Sequence, residues 1–347
     1  MQAVFYDMKG IYNARSINDI YKIFKANYNF NIADFRINKA PVSVFNKFNE
    51  KLIDSSSDHL NFEFAHKYSL TCKYCYHITY IKNTELNMYI LMRSKITNKM
   101  KADVFKNLYR LYLVSKIYDI SKSGNYKFNY YIIMNPKKRF MPAKKSELIN
   151  AININGGFTY INNNEIFIIR KEDYNKVIIH EFLHHSALIN RVAQWDASNI
   201  KRLKIHFNIH NDMLLLPNET IIETYACVLN TILYSLETNT SLKENFKKDQ
   251  EHSIELTKRI LQRQNGEKWN EKTHAYCYVV FKTILYVYFN LFLKIYKYHN
   301  DTEITDFIIK YSHNIYKKIN NLKHIRNDAK GTHKLKLNTN GLKQTIY

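Results

Sequence analysis

The chain has 347 residues, 46% of them apolar and 14% aromatic, enough to bury a sizeable core in one large or two medium domains, which excludes an intrinsically disordered chain. A formal charge of +22 suits nucleic acid, an acidic protein partner or an anionic surface, but basic residues scattered along the whole chain fit a lysine-rich surface with no partner better, an acidic partner remaining open. Four cysteines are too few for a disulfide framework at this length, which implies a reducing, intracellular compartment, cytoplasmic or nuclear, and 7 Gly with 4 Pro imply few tight turns and many helices.

Taken in order, Met1 to Asp7 lacks the basic-then-apolar layout of a signal peptide. Residues 1–126 read as a mainly helical N-terminal region. Ser16 to Asn27 is amphipathic, Ser55 to Asp58 reads as a loop, and Asn83 to Tyr118 carries apolar residues at helical spacing through Met88, Leu91, Met92, Val104, Leu108, Leu111 and Leu113. Within this region His66, Cys72, Cys75 and His77 offer a C-x-x-C spacing suited to structural zinc or thiol redox chemistry. His77 follows Cys75 too closely for usual finger spacings, which fits ordinary reduced thiols.

A second region, residues 127–322, opens with Phe128 to Met134, a strand ended by Asn135-Pro136. A short helix around Ser146 to Asn150 and strands at Ala151 to Ile154, Gly157 to Ile161 and Glu165 to Ile169 follow. Gly156-Gly157-Phe158-Thr159-Tyr160 reads either as a plain hairpin or as an exposed edge that pairs with an extended peptide, since glycine permits close backbone approach.

After the polar turn Lys171-Glu172-Asp173, a helix is expected from Tyr174 to Asn190, carrying His180-Glu181-Phe182-Leu183-His184. This is the H-E-x-x-H arrangement. Positions i and i+4 share a helix face, so His180 and His184 can ligate one metal ion while Glu181 acts as general base on water. The donor types suit zinc, which keeps a position open when three protein ligands hold it and lowers the pKa of a coordinated water to about 7. The same residues also fit two surface histidines on an ordinary helix.

The next strong helix start is Pro217-Asn218-Glu219, with Glu223 one turn further on. One carboxylate can bind metal while the other accepts a hydrogen bond from a ligating histidine. These motifs resemble the gluzincin zinc metallopeptidases, in which H-E-x-x-H is followed by a helix bearing a ligating Glu, often as N-E-x-x-x-D. This chain has Glu at the final position in place of Asp. The resemblance implies Glu219 as third ligand and Glu223 as its partner, the reverse assignment remaining open. Metzincins, which carry H-E-x-x-H-x-x-G-x-x-H, are excluded, because Ile189 and Asn190 follow with no Gly or third His in place. The stretch from Ile152 to His185 also resembles uncharacterised H-E-x-x-H proteins of large DNA viruses, which would place the chain in a host cell or a virion.

A helix to about Leu236 is followed by a charged helix to about Gln264. In sequence order gluzincins then supply a His or Tyr that stabilises an oxyanion, which by resemblance makes His274, Tyr276 and Tyr278 candidates, with core packing as the alternative. The apolar run Tyr278 to Tyr298 is interrupted by Lys282, Asn290 and Lys294, so it reads as a core helix and no membrane span is expected. Asp301 to Leu322 is amphipathic, and residues 323–347 form a basic tail.

The expected fold is therefore α+β and mostly helical, with a zincin-like core of a small mixed sheet, the H-E-x-x-H helix and a second, Glu-bearing helix. The expected function is a zinc-dependent metallopeptidase holding one catalytic Zn2+ and acting on a peptide or protein substrate. The alternatives are a basic structural or nucleic-acid-binding protein, as in a virion, whose metal site is inactive or structural, and a metal-dependent hydrolase of another bond.

Overall fold

The structure, a computed structural model, describes residues 13–53, 62–118, 127–160, 163–186, 195–296 and 300–321. The basic tail, the Ser55 to Asp58 loop and Ala187 to Asn190 lie outside the described residues.

The protein is α+β with a mixed sheet. Helix α1 (Ile17–Asn27) starts where Ser16 accepts a hydrogen bond from the Asp19 amide, and it buries Ile17, Ile20 and Phe24 on one face. Strand β1 (Phe35–Ala40) leads to short helices α2 (Asn46–Leu52) and α3 (Glu63–Ser69), then to β2 (Tyr74–Tyr80) and β3 (Asn83–Met92). Helix α4 (Asn98–Ile117) crosses over to β4 (Phe128–Ile133). After β5 (Ile149–Asn150) and α5 (Ala151–Ile154) come β6 (Gly157–Thr159) and β7 (Glu165–Ile168).

Six of these strands form one sheet in the order β1-β2-β3-β4-β7-β6. Strands β3, β4 and β7 run parallel, whereas β1, β2 and β6 pair antiparallel with their neighbours. Alternation along the strands divides the core. Ile78, Met88, Ile90, Tyr130, Ile132, Ile166 and Ile168 face the larger cluster, and Cys75, Leu91, Ile133, Phe167 and Ile169 face a smaller one closed by Phe45, Phe48 and Phe62. Burying each such side chain is worth roughly 1.5–3 kcal/mol.

The C-terminal half is helical: α6 (Tyr174–Leu183), α7 (Ala197–His206), α8 (Pro217–Thr238), α9 (Leu242–Gln264), then β8 (Glu271–Lys272), which pairs with β5, a π turn (Cys277–Phe281), α10 (Lys282–Val287), α11 (Phe289–Tyr296) and α12 (Asp301–Asn321). A buried bidentate pair, Arg110 Nε and Nη2 on Glu237 at 2.6 Å each, ties α4 to α8.

Several sequence expectations are corrected. Among its described residues the region 1–126 carries more helix than strand, but it also supplies three strands that were not expected, and β3 pairs with β4 so that residues on both sides of 126 share one sheet. Asn83 to Met92 is strand: Leu86, Met88 and Ile90 are buried while Asn87 and Tyr89 between them are partly exposed, a period of two that isolated helical spacings masked. Ala151 to Ile154 is a helical turn closed by a capping box between Asn150 and Asn153, and the helix expected around Ser146 is replaced by a turn and β5.

The apolar run after Tyr278 is not one helix. It breaks at Tyr288 with a bend of 94°, and Gln250 donates to the freed carbonyls of Tyr286 and Val287. Among the described residues no single helix is long and apolar enough to cross a membrane.

A candidate metal centre between two helices

The site begins with a turn in an uncommon conformation. Asp173 adopts a left-handed φ of 57° and leads directly into α6. Asp is among the few non-glycine residues enriched there, and Arg139 Nη1, 3.2 Å from its carboxylate, holds it. All ten residues of α6 are buried, Lys176, His180 and Glu181 included. Polar groups placed so deeply need partners, and α8 supplies them.

Glu223 receives His180 Nδ1 on one oxygen at 2.9 Å and the Lys176 ammonium on the other at 2.5 Å. A carboxylate only accepts, so His180 donates from Nδ1 and turns Nε2 the other way. There Nε2 stands 3.3 Å from Glu219 Oε2, and His184 Nε2 stands 3.7 Å from the same oxygen. Tetrahedral zinc with bonds of about 2.0–2.2 Å needs ligand atoms roughly 3.3–3.6 Å apart. Glu219 Oε2 is also buried and makes no hydrogen bond within the chain. Two imidazole nitrogens and one orphaned carboxylate oxygen, all within 4.8 Å of one another, are a donor set that fits a borderline cation such as zinc.

The electrostatics follow from burial and these contacts. Burial opposes charge on His180, but Glu219 and Glu223 outweigh it and raise its pKa to about 10. Burial pushes His184 down to about 4. Burial raises Glu219, yet His184 and His180 hold it down at about 2, and Glu223 is held well below the carboxylate range by Lys176 and His180 against the same desolvation. Glu181, one residue along, is pushed up to about 7 by burial. All these are properties of the chain alone, and a cation on the three donors displaces the His180 Nε2 proton.

A pocket lies beside this centre, walled by His180, Glu181, Tyr278, Gly156 and Gly157 and by the Lys176–Glu223 pair; of the three donors only His180 lines it. The glycines are needed for contact. A Cβ on Gly157 would lie 2.7 Å from the Phe167 carbonyl oxygen and 3.1 Å from Val177 of α6. Strand β6, which Gly157 begins, is the outermost strand of the sheet on this side and runs antiparallel to β7. His185 Nε2 bonds Thr159 Oγ1 at 2.9 Å and joins the end of α6 to that edge; the Thr159 hydroxyl donates to the Glu165 carbonyl, so the imidazole is the donor.

The structure separates the candidates near 274 to 278. Tyr276 is fully buried, its hydroxyl donates to Gln264 Oε1, and its ring packs on Phe207, Trp269 and Phe281, so the reading of Tyr276 as a catalytic residue is corrected to core packing. Residues i and i+2 leave a helix on opposite sides, and Tyr278, within the π turn, therefore meets His180 edge-on at 5.6 Å. Burial and the nearby Glu219 and Glu181 carboxylates push the Tyr278 phenol well above its ordinary value. His274 packs against Tyr278, with ring centroids 6.2 Å apart, and is near enough to Glu219 to help hold its pKa down.

The expected helix to Asn190 ends at Leu183, where the His185 and Ser186 amides bond the Phe182 and Leu183 carbonyls and tighten the last turn. His184 keeps right-handed helical backbone, φ −58°, so the i,i+4 pairing survives. The second candidate cluster does not assemble: Cys72 and Cys75 are buried free thiols pushed up to about 11 by burial, and His77 bonds Asn87 and stacks on Tyr89. Among the described residues the His180, His184 and Glu219 set is the only group of three or more such ligands brought together. Arg139 and Lys176 were missed as pocket residues; a basic residue before the edge strand and another four positions before the first His carry no motif of their own.

Compared with known proteins, the chain matches no family model, no curated protein and no solved structure.

Proposed function

We propose that the protein is a zinc-dependent metallopeptidase of gluzincin type, with a zincin-like core built from the β6 edge, α6 and α8. The observation that supports this reading best is the convergence of His180 Nε2, His184 Nε2 and the orphaned Glu219 Oε2, with Glu181 next to His180 on the same helix. His180, His184 and Glu219 would hold the ion, which when bound supplies Lewis acidity toward water and a scissile carbonyl.

The other steps belong to the chain. Glu181, the neighbour of His180 on α6, takes a proton from water and delivers it to the leaving amine. Tyr278, kept as a neutral phenol, donates its O–H to the developing oxyanion. Glu223 fixes the orientation of His180, and the β6 edge offers backbone groups to an extended peptide. Glu181→Gln is expected to bind zinc with unchanged stoichiometry by elemental analysis and to lose about 10²–10⁴-fold in peptide turnover. Retained turnover in that variant refutes the assignment.

A further inference from the structure

Resting on the metallopeptidase reading, we propose that Arg139 is the specificity residue of this pocket and that the substrate presents a carboxylate to it.

Arg139 is 3% exposed and lines the same pocket as His180 and Glu181. Most of its guanidinium is committed: Nε donates to the Ile154 carbonyl, and Nη1 lies 3.2 Å from Asp173 and 3.7 Å from Glu172. Nη2 makes no hydrogen bond to Glu172, Asp173 or Ile154, so a buried cation is locked in place with one nitrogen left over. What keeps that nitrogen open is a missing side chain. A Cβ on Gly156 would sit 2.3 Å from Nη2 and 2.9 Å from Val177 Cγ2, closing the approach.

The surroundings select the ligand. Ile154 and Val177 form apolar walls that suit the methylene stem of a side chain, and a guanidinium nitrogen at the end suits an acceptor. Glu181 and Glu223 balance Arg139 and Lys176 in the pocket lining, so the preference rests on the Arg139 Nη2 donor, which makes a charge-assisted bond to a carboxylate, and the overall charge of +22 attracts acidic chains from a distance. Lys176 is already paired with Glu223, which leaves Arg139 as the reader. Two sources carry the same chemistry: the side chain of an acidic residue near the scissile bond, and the α-carboxylate at the end of a short peptide.

The test starts from a peptide that the zinc-loaded wild type cleaves, resynthesised with Glu, Gln or Leu at each position within about three residues of the scissile bond, and with free or amidated C-terminus. Binding to the full-length Glu181→Gln protein is read by fluorescence anisotropy, so that affinity is measured without turnover. The expected result is that one carboxylate-bearing series binds about tenfold or more tighter than its neutral counterparts, and that the preference falls below about threefold when Arg139→Lys or Gly156→Ala is added. A preference that follows Glu against Gln assigns the side-chain source; one that is lost on amidation assigns the chain terminus. Gly156→Ala leaves every charge in place, and thermal unfolding of both variants shows which is folded; the wild-type comparison of carboxylate with neutral peptides decides the preference even if neither variant folds. A protein that takes up zinc and cleaves peptides with no preference for a carboxylate overturns the Arg139 proposal alone. A protein that takes up no zinc and cleaves nothing overturns the peptidase reading and this proposal together.

Discussion

Glu223 is the residue on which the proposed centre can be tested most directly without relying on catalysis. It is 2% exposed, accepts from His180 Nδ1 at 2.9 Å and pairs with the Lys176 ammonium at 2.5 Å. In Glu223→Gln the amide keeps one accepting oxygen and turns an NH2 group toward the other donor. One charge-assisted hydrogen bond, worth roughly 1.5–3 kcal/mol, is therefore lost, and a buried ammonium loses its counter-charge. Breaking a buried pair from one side costs roughly 3–5 kcal/mol, so the metal-free variant should unfold at a clearly lower temperature. Freed from its partner, the His180 ring loses its fixed orientation, and zinc affinity should fall about 10–100-fold, or roughly 1.4–2.7 kcal/mol. Competition against a chromophoric chelator measures the affinity, and thermal unfolding with and without zinc separates it from stability. Adding Lys176→Met should recover part of the lost stability, because the uncompensated charge is then gone, while zinc affinity stays low. Glu223→Gln with affinity within about twofold of wild type and an unchanged unfolding temperature refutes the bridging role argued from the geometry.

Further outcomes follow from the same contacts. Gly157→Ala should destabilise the fold by roughly 1–3 kcal/mol, since a Cβ would press on the Phe167 carbonyl and on Ile168 Cδ1, both fixed by the β6–β7 pairing; urea denaturation measures it, and a neutral result means the edge strand is free to shift. Arg110→Met should cost roughly 3–5 kcal/mol by leaving Glu237 buried beside Asn230 without its cation, again read by denaturation. All four cysteines are buried, with the Cys72 and Cys75 thiols pushed up to about 11, so a thiol-directed reagent at neutral pH should label none in the folded protein and all four in denaturant. Fast labelling of Cys72 or Cys75 without denaturant would mean that the α3–β2 junction opens readily.

The difference between what was legible in the sequence and what was not is clearest in two pairs of residues. His180 and His184 are four apart on one helix, and Glu219 and Glu223 are four apart on another; each pairing is local, fixed by a repeat of 3.6 residues, and can be read before any fold is known. The same locality explains why α1, α8, α9 and α12 fall close to where their caps and apolar stripes place them. Strands β1 to β3 were not legible as a sheet, because their stabilisation comes from cross-strand partners far along the chain, and a short run such as Leu86 to Met92 matches two periods equally well until its neighbours are known.

The sequence by itself determined which side chains can act as ligands and bases, because residue type and helical spacing are properties of the chain. Only the tertiary structure decided their roles: that Glu219 faces both Nε2 atoms while Glu223 takes Nδ1, that Tyr278 rather than Tyr276 meets His180, and that Arg139 opens onto the pocket because Gly156 has no side chain. Those choices depend on how α6, α8 and the sheet edge pack against one another, and packing is a relation between segments that no local pattern encodes.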